Sequence, residues 1–265
     1  MQLIANISLM FTELPLPLRL AAAARAGFDG VEIQFPYEVD ARELKRLAGD
    51  LPVVLINVPA DDGRGGVGRS TDAAQRARFA EGVEQAVRYA EILGVRKTNV
   101  LSGPPPIGQD DQVTARVLSD NVALAAERFD AVGTEVVVEA INPFDVPGFW
   151  LDGLDKALRF LEGQADPRVS LQFDLYHMAR TEPDLVDAIR RAGSLIGHVQ
   201  FADNPGRHEP GTGSIDFAAA FTALRDTGYD APVAAEYRPA GLTEDGLGWM
   251  EDISRMIGRG RLLAG

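Results

Sequence analysis

Four apolar runs in the second half of the chain each end on a polar residue, at a spacing few folds can use. They are VVVEAIN with Glu139, VSLQFDLYH with Asp174, LIGHVQFADN with Gln200 and APVAAEY with Glu236. Successive positions differ by 35, 26 and 36 residues, each about the length of one strand–helix unit returning to a parallel neighbour. In a closed ring of parallel strands the C-terminal strand ends share one mouth, so these side chains would converge there. Three carboxylates brought that close repel unless a cation or a proton lies between them. A divalent metal held by Glu139, Asp174, Gln200 and Glu236 is the simplest expectation. An all-oxygen donor set favours Mg²⁺ or Mn²⁺ over Zn²⁺.

The first half of the chain continues the alternation. β-type runs at 3–8, 30–35, 52–58 and 95–101 precede those at 134–141, 168–174, 195–202 and 231–237. Helical patterns follow each of them, near 17–26, 41–49, 71–93, 112–131, 152–163, 183–192, 216–227 and 243–258, several stopped by glycine. Eight such units predict an α/β fold, a (β/α)₈ barrel forming a single domain over 1–265. A doubly wound open sheet is the competing architecture, but no GxGxxG or GxxxxGK[ST] follows a strand. The segment at 61–70, DDGRGGVGRS, reads as a glycine-rich loop without periodicity.

Composition narrows the function classes. The net charge of −13 gives no electrostatic footprint for nucleic acid or anionic lipid. No apolar run approaches the roughly 18 residues of a membrane span, and MQLIANISLM lacks the basic start of a signal peptide. Cysteine is absent, which removes thiolate chemistry and fits a cytoplasmic protein. Three histidines are too few for a multinuclear zinc nuclease built on a barrel. The expected partner is a small molecule, and the sequence leaves a homo-oligomer open.

Several segments resemble the hydroxypyruvate isomerase family, within the larger group of xylose-isomerase-like TIM barrels. They are ANISLMFTELP (5–15), AGFDGVEIQFPY (26–37), EAINPFDVPGFWL (139–151), QFDLYHMAR (172–180), GHVQFADNPGRHEPGTGSIDF (197–217), AEYRP (235–239) and GLGWM (246–250). The resemblance implies that Glu139, Asp174, Gln200 and Glu236 hold the metal and that Glu139 and Glu236 are the acid–base pair. It implies isomerisation of hydroxypyruvate to tartronate semialdehyde, with a 2-oxo-tetronate as the alternative substrate. Related ketose 3-epimerases carry His where this chain has Gln200, and the family tends to Lys where this chain has Arg238. A ketose 3-epimerase, a sugar-acid dehydratase and a non-catalytic binding barrel are further alternatives.

The chemistry agrees with that expectation. Interconverting an aldehyde and a ketone moves a proton between adjacent carbons, and two carboxylates on opposite sides of the substrate serve as base and acid. Strands five and eight stand three places apart in the ring, so Glu139 and Glu236 would face one another. The acid group of the substrate needs a cation, for which Arg207 in NPGRHEP is the first candidate. His177, three residues past Asp174, is a donor to a substrate oxygen, and His208 and Asp145 are further substrate contacts. His198 is expected one layer below Gln200. Asn6, Glu32, Asn57 and Asn99 are inward-facing candidates, and Phe11, Phe35 and Trp249 are aromatics of the core or of the site's wall.

Overall fold

The computed structural model describes residues 1–60, 66–164 and 166–259. Its strands are β1 (Leu3–Asn6), β2 (Gly30–Ile33), β3 (Val53–Asn57), β4 (Lys97–Asn99), β5 (Glu135–Glu139), β6 (Val169–Asp174), β7 (Ile196–Phe201) and β8 (Val233–Ala235). All pair in parallel in sequence order, and β1 also pairs with β8, so the sheet closes into an eight-stranded barrel. Closure rules out the open doubly wound sheet.

The helices are α1 (Leu16–Arg25), α2 (Ala41–Ala48), α3 (Arg76–Leu93), α4 (Asp111–Asp130), α5 (Leu154–Gln164), α6 (Leu175–Thr181), α7 (Leu185–Ala192), α8 (Phe217–Asp226) and α9 (Met250–Met256). Their starts and faces follow from sequence. Asp110 caps α4 by accepting from the amides of Gln112 and Val113. In α3, Phe79, Val83, Ala86, Ala90 and Leu93 recur at helical spacing and are buried against the barrel. Each large apolar side chain buried this way contributes roughly 1.5–3 kcal/mol. The helix then stops at Gly94, whose φ of 76° suits a residue without a Cβ.

Between β6 and β7 the Ser170 side chain fills the space beside Gly197, so that an added Cβ would lie 1.8 Å from Ser170 Oγ and 2.6 Å from its Cβ. Only glycine fits there. Two features were not expected from periodicity. The short helix α6 starts directly at the end of β6, and the expected last helix divides into a 3-10 turn (Glu244–Trp249) and α9. The glycine-rich loop expected at 61–70 lies in part, at 61–65, outside the described residues. Among the described residues no helix is long and apolar enough to cross a membrane.

The inner surface towards the C-terminal strand ends is polar. Asn6, Glu32, Asn57, Asn99, Gln172, His198 and Gln200 are all buried. Glu32 on β2 meets His198 and Gln200 on β7, strands that are not neighbours, so these contacts cross the barrel interior.

Candidate active site

Three carboxylates sit at the ends of β5, β6 and just past β8, and each is held in the same way. One oxygen is bound to a donor of the scaffold, and the other is left facing inward. Glu139 Oε2 accepts from Asn99 Nδ2 at 2.8 Å. Asp174 Oδ1 accepts from the Tyr176 amide at 2.8 Å, which makes Asp174 the N-cap of α6 as well. Glu236 Oε1 accepts from Gln34 Nε2 at 2.7 Å and from Asn6 Nδ2 at 3.0 Å. The inward oxygens are Glu139 Oε1, Asp174 Oδ2 and Glu236 Oε2.

Arg207 and His177 stand over those oxygens. Arg207 Nη2 donates to Glu236 Oε2 and lies 3.4 Å from Asp174 Oδ2, while its guanidinium stacks 5.1 Å over the Tyr176 ring. The Arg207 backbone has φ of 56°, a strained region for a residue with a side chain. It is held there by hydrogen bonds from its amide to Asp203 O and from the Arg238 amide to its own carbonyl. His177 Nε2 lies 3.6 Å from Asp174 Oδ2 and 3.8 Å from Glu139 Oε1. One turn into α6, it is carried over the site by the helix that Asp174 caps.

Burial and crowding shift these groups together. Burial, then the nearby Glu236 and Asp174, holds the Glu139 carboxyl well above the usual range. Burial also raises Glu236, to about 7, with Arg207 opposing and Asp174 and Glu32 adding to the rise. Asp174 is raised by burial, against Arg207 and the backbone amides of α6. His177 is held well below its ordinary value by burial, then by Arg207 and Arg180, and is neutral. Burial alone would lower Arg207, but Glu236, Asp174 and Glu139 more than reverse it.

The remaining expected residues are placed as follows. Gln200 is paired in register with Asp174, but its amide is bound within the barrel. Its Oε1 accepts from Gln172 Nε2 at 2.6 Å, and its Nε2 donates to Glu32 Oε2 at 2.7 Å. A carbonyl oxygen keeps a second lone pair, so Gln172 leaves Gln200 one acceptor position. His198 lies one layer below and donates to Glu32. Asp145 is at the rim, accepting from Asn142 Nδ2 at 3.1 Å and paired with Arg180 at 3.3 Å. His208 is turned to the Arg238 carbonyl, 2.7 Å from its Nδ1. Phe11 and Trp249 are core residues, in contact through Phe28.

Gln34, Asn142, Tyr176 and Arg180 were not singled out from sequence. For Asn142 a signal existed, because Asn-Pro initiates a turn and the Asn142 side chain accepts from the Phe144 and Asp145 amides. For Gln34 no local pattern distinguishes it from an exposed glutamine after a strand.

A family model described as a xylose isomerase-like TIM barrel matches residues 20–253. The chain belongs to this family. Among xylose isomerase-like relatives it is similar to the hydroxypyruvate isomerase of Escherichia coli, 38% identical over 93% of this chain and 97% of that one. It is also similar to the 2-oxo-tetronate isomerase of Cupriavidus necator, 35% identical over 93% and 96%. The resemblance to hydroxypyruvate isomerases read from sequence is thus borne out. Among solved structures, a Brucella melitensis protein titled AP endonuclease, family 2 superposes with a TM-score of 0.89 at 33% identity, covering 95% of this chain and 99% of that one. An L-ribulose 3-epimerase superposes with a TM-score of 0.75 at 27% identity, covering 100% and 88%.

Proposed function

We propose that this chain is an isomerase of small hydroxy-oxo acids that requires a divalent metal, with hydroxypyruvate and tartronate semialdehyde as its first pair. The observation that carries the reading is the set of three inward carboxylate oxygens, from Glu139, Asp174 and Glu236, each backed by a scaffold donor on its other oxygen. The names of the two curated relatives support the substrate class.

The donor set fits Mg²⁺ or Mn²⁺. The inward oxygens of Asp174 and Glu236 already meet at one cationic nitrogen, Arg207 Nη2, so a single positive centre reaches both. Glu139, Asp174, Glu236 and the Gln200 carbonyl would hold the metal, all through hard oxygen atoms. When bound, the ion would stabilise negative charge developing on adjacent substrate oxygens.

The chain's own groups account for the proton movements. One glutamate takes the C3 proton of hydroxypyruvate, and the electron pair of the broken C3–H bond moves through C2 onto the carbonyl oxygen, giving an enediolate. A proton returns to C2 from the opposite glutamate, and the hydroxyl proton moves from O3 to O2. In the reverse direction the two glutamates exchange roles. Burial pushes Glu236 up to about 7 without a metal, and a cation on the same carboxylate would lower it again and favour its ionised form as base. His177 Nε2, 3.6 Å from Asp174 Oδ2 and 3.8 Å from Glu139 Oε1, would donate to a substrate oxygen between them. Arg207 would receive the substrate carboxylate, with Asp145 and His208 at the rim.

The 2-oxo-tetronate reading uses the same groups with a substrate one carbon longer. We place the enzyme in the cytoplasm as one catalytic unit over 1–265, acting on a metabolite of carbohydrate acids and not on nucleic acid. The test is a panel of three- and four-carbon oxo acids and free ketoses, each with EDTA and with Mg²⁺ or Mn²⁺ restored. Turnover of free ketoses alone would replace the isomerase assignment by an epimerase.

A further inference from the structure

We infer that Asn142 sets the tautomer of His177, so that its Nε2 carries the proton and faces the site as a donor rather than as a nitrogen ligand. The inference refines the isomerase reading above, in which His177 is a donor to substrate.

The orientation of the Asn142 amide follows from groups that have no choice of role. The backbone amides of Phe144 and Asp145 point at one side-chain atom of Asn142, at 3.1 and 3.0 Å. An N–H only donates, so that atom is the carbonyl oxygen. The amide nitrogen must then lie on the other side. There it is 3.1 Å from Asp145 Oδ2 and 2.6 Å from His177 Nδ1. Its two hydrogens serve those two acceptors. The Asn142 backbone amide, 3.4 Å from the same ring nitrogen, is a second donor aimed at it.

Two donors on Nδ1 require a lone pair there. The proton of the neutral ring is therefore on Nε2. Nε2 lies 3.6 Å from Asp174 Oδ2 and 3.8 Å from Glu139 Oε1, too far for a good hydrogen bond to either. The N–H is free for a third oxygen placed between them. Without this constraint, Glu139, Asp174 and His177 would form a site of two oxygens and one nitrogen, since their ligand atoms lie within 4.8 Å of one another. Such a set suits Zn²⁺. Asn142 thus keeps nitrogen out of the donor set and leaves it to oxygen.

The chain has only three histidines, so ¹⁵N-histidine NMR resolves each ring. In the wild-type protein His177 should show a bare Nδ1 and a protonated Nε2, and added Zn²⁺ should leave Nε2 protonated. In Asn142→Asp the side chain still accepts from the Phe144 and Asp145 amides but sets an acceptor in place of a donor at the 2.6 Å contact with Nδ1, which outweighs the long 3.4 Å contact from the backbone amide. The His177 pattern should invert, the preference for Zn²⁺ over Mn²⁺ should rise at least about tenfold, and kcat/KM on the oxo acid should fall by roughly 10–100-fold. A protonated Nδ1 in the wild type, Zn²⁺ on Nε2 in the wild type, or an unchanged pattern in a folded Asn142→Asp would each overturn the inference. The wild-type spectrum decides even if the variant does not fold. It is also independent of turnover: an inverted wild-type tautomer in an active isomerase defeats only this inference, and lack of isomerase activity with the expected tautomer defeats only the functional reading.

Discussion

Arg207 and Glu236 form a largely buried pair at the mouth of the barrel, with Arg207 Nη2 on the same carboxylate oxygen that is left free by Asn6 and Gln34. The guanidinium therefore stands where positive charge is most needed, and it can turn to a substrate carboxylate once another cation occupies that place. Arg207→Ala should raise KM for an oxo acid by roughly 10–100-fold, the worth of one charge-assisted contact of about 1.5–3 kcal/mol. Any turnover of neutral ketoses should change little. An unchanged KM for the acid would remove Arg207 from substrate binding.

Activity should disappear on chelation and return with Mg²⁺ or Mn²⁺. The residue to vary is Asp174, and the choice of substitution matters. Asp174→Ala would remove both the inward oxygen and the cap of α6, at a cost of about 1 kcal/mol for the cap. Asp174→Asn keeps an acceptor for the Tyr176 amide and removes only the charge. It should fold as the wild type does and lose Mn²⁺ binding measured calorimetrically. Full activity in metal-free protein would defeat the metal assignment.

Glu139→Gln and Glu236→Gln should each lower kcat by at least about 10²-fold, the scale of a general base. They should differ in metal affinity. The Asn99 Oδ1 atom is buried without a partner, so Asn99 can turn its amide over and accept from a glutamine at 139. That glutamine then keeps its oxygen inward. Asn6 cannot turn, because its Oδ1 is held by the Ser8 amide at 3.1 Å. A glutamine at 236 must give its oxygen to Asn6 and point its NH₂ inward, so Mn²⁺ binding should weaken more for Glu236→Gln. Equal affinities would show that the surrounding amides do not impose orientation.

Proton transfer through the glutamates should place solvent deuterium on the substrate carbon in D₂O, at least in part. Complete retention of the original hydrogen would indicate a hydride shift and would relieve Glu139 and Glu236 of their acid–base role.

Stability of the metal-free protein should fall as pH rises towards neutrality. Glu236 titrates at about 7 in the folded chain and near 4.3, the ordinary glutamate value, when unfolded. Its contribution is complete below the unfolded value and is lost as pH rises through the folded one. Glu139 moves in the same direction. His177 acts oppositely, since a depressed pKa withdraws stability as pH falls below its ordinary value. Comparison with Glu236→Gln, which retains the histidine, isolates the carboxylate. The wild type should lose more thermal stability than the variant between about pH 5 and pH 8 without metal, and bound Mn²⁺ should remove the difference. Parallel profiles would count against the buried-carboxylate account.

The barrel was legible because parallel strands, buried on both faces, leave apolar runs that glycine-stopped helices separate. The strand ends at Glu139 and Asp174 could be read directly, Gln200 lies one residue before the end of β7, and Glu236 lies one residue past β8. What sequence could not supply were the partners. Gln34 meets Glu236 across 202 positions, and Glu32 meets Gln200 across 168, so no local pattern joins them. The helix α6 escaped notice because it is short and begins directly after Asp174, already read as a strand end. Asp174 carries both roles through its two oxygens.

That division of one carboxylate has a mechanical consequence. Oδ1 anchors the first turn of α6, while Oδ2 faces the reaction space, and the two atoms cannot move independently. A pull on Oδ2 is a torque on the helix that presents Tyr176, His177 and Arg180. A metal drawn to Oδ2 would therefore act on the same carboxylate that caps the helix carrying His177.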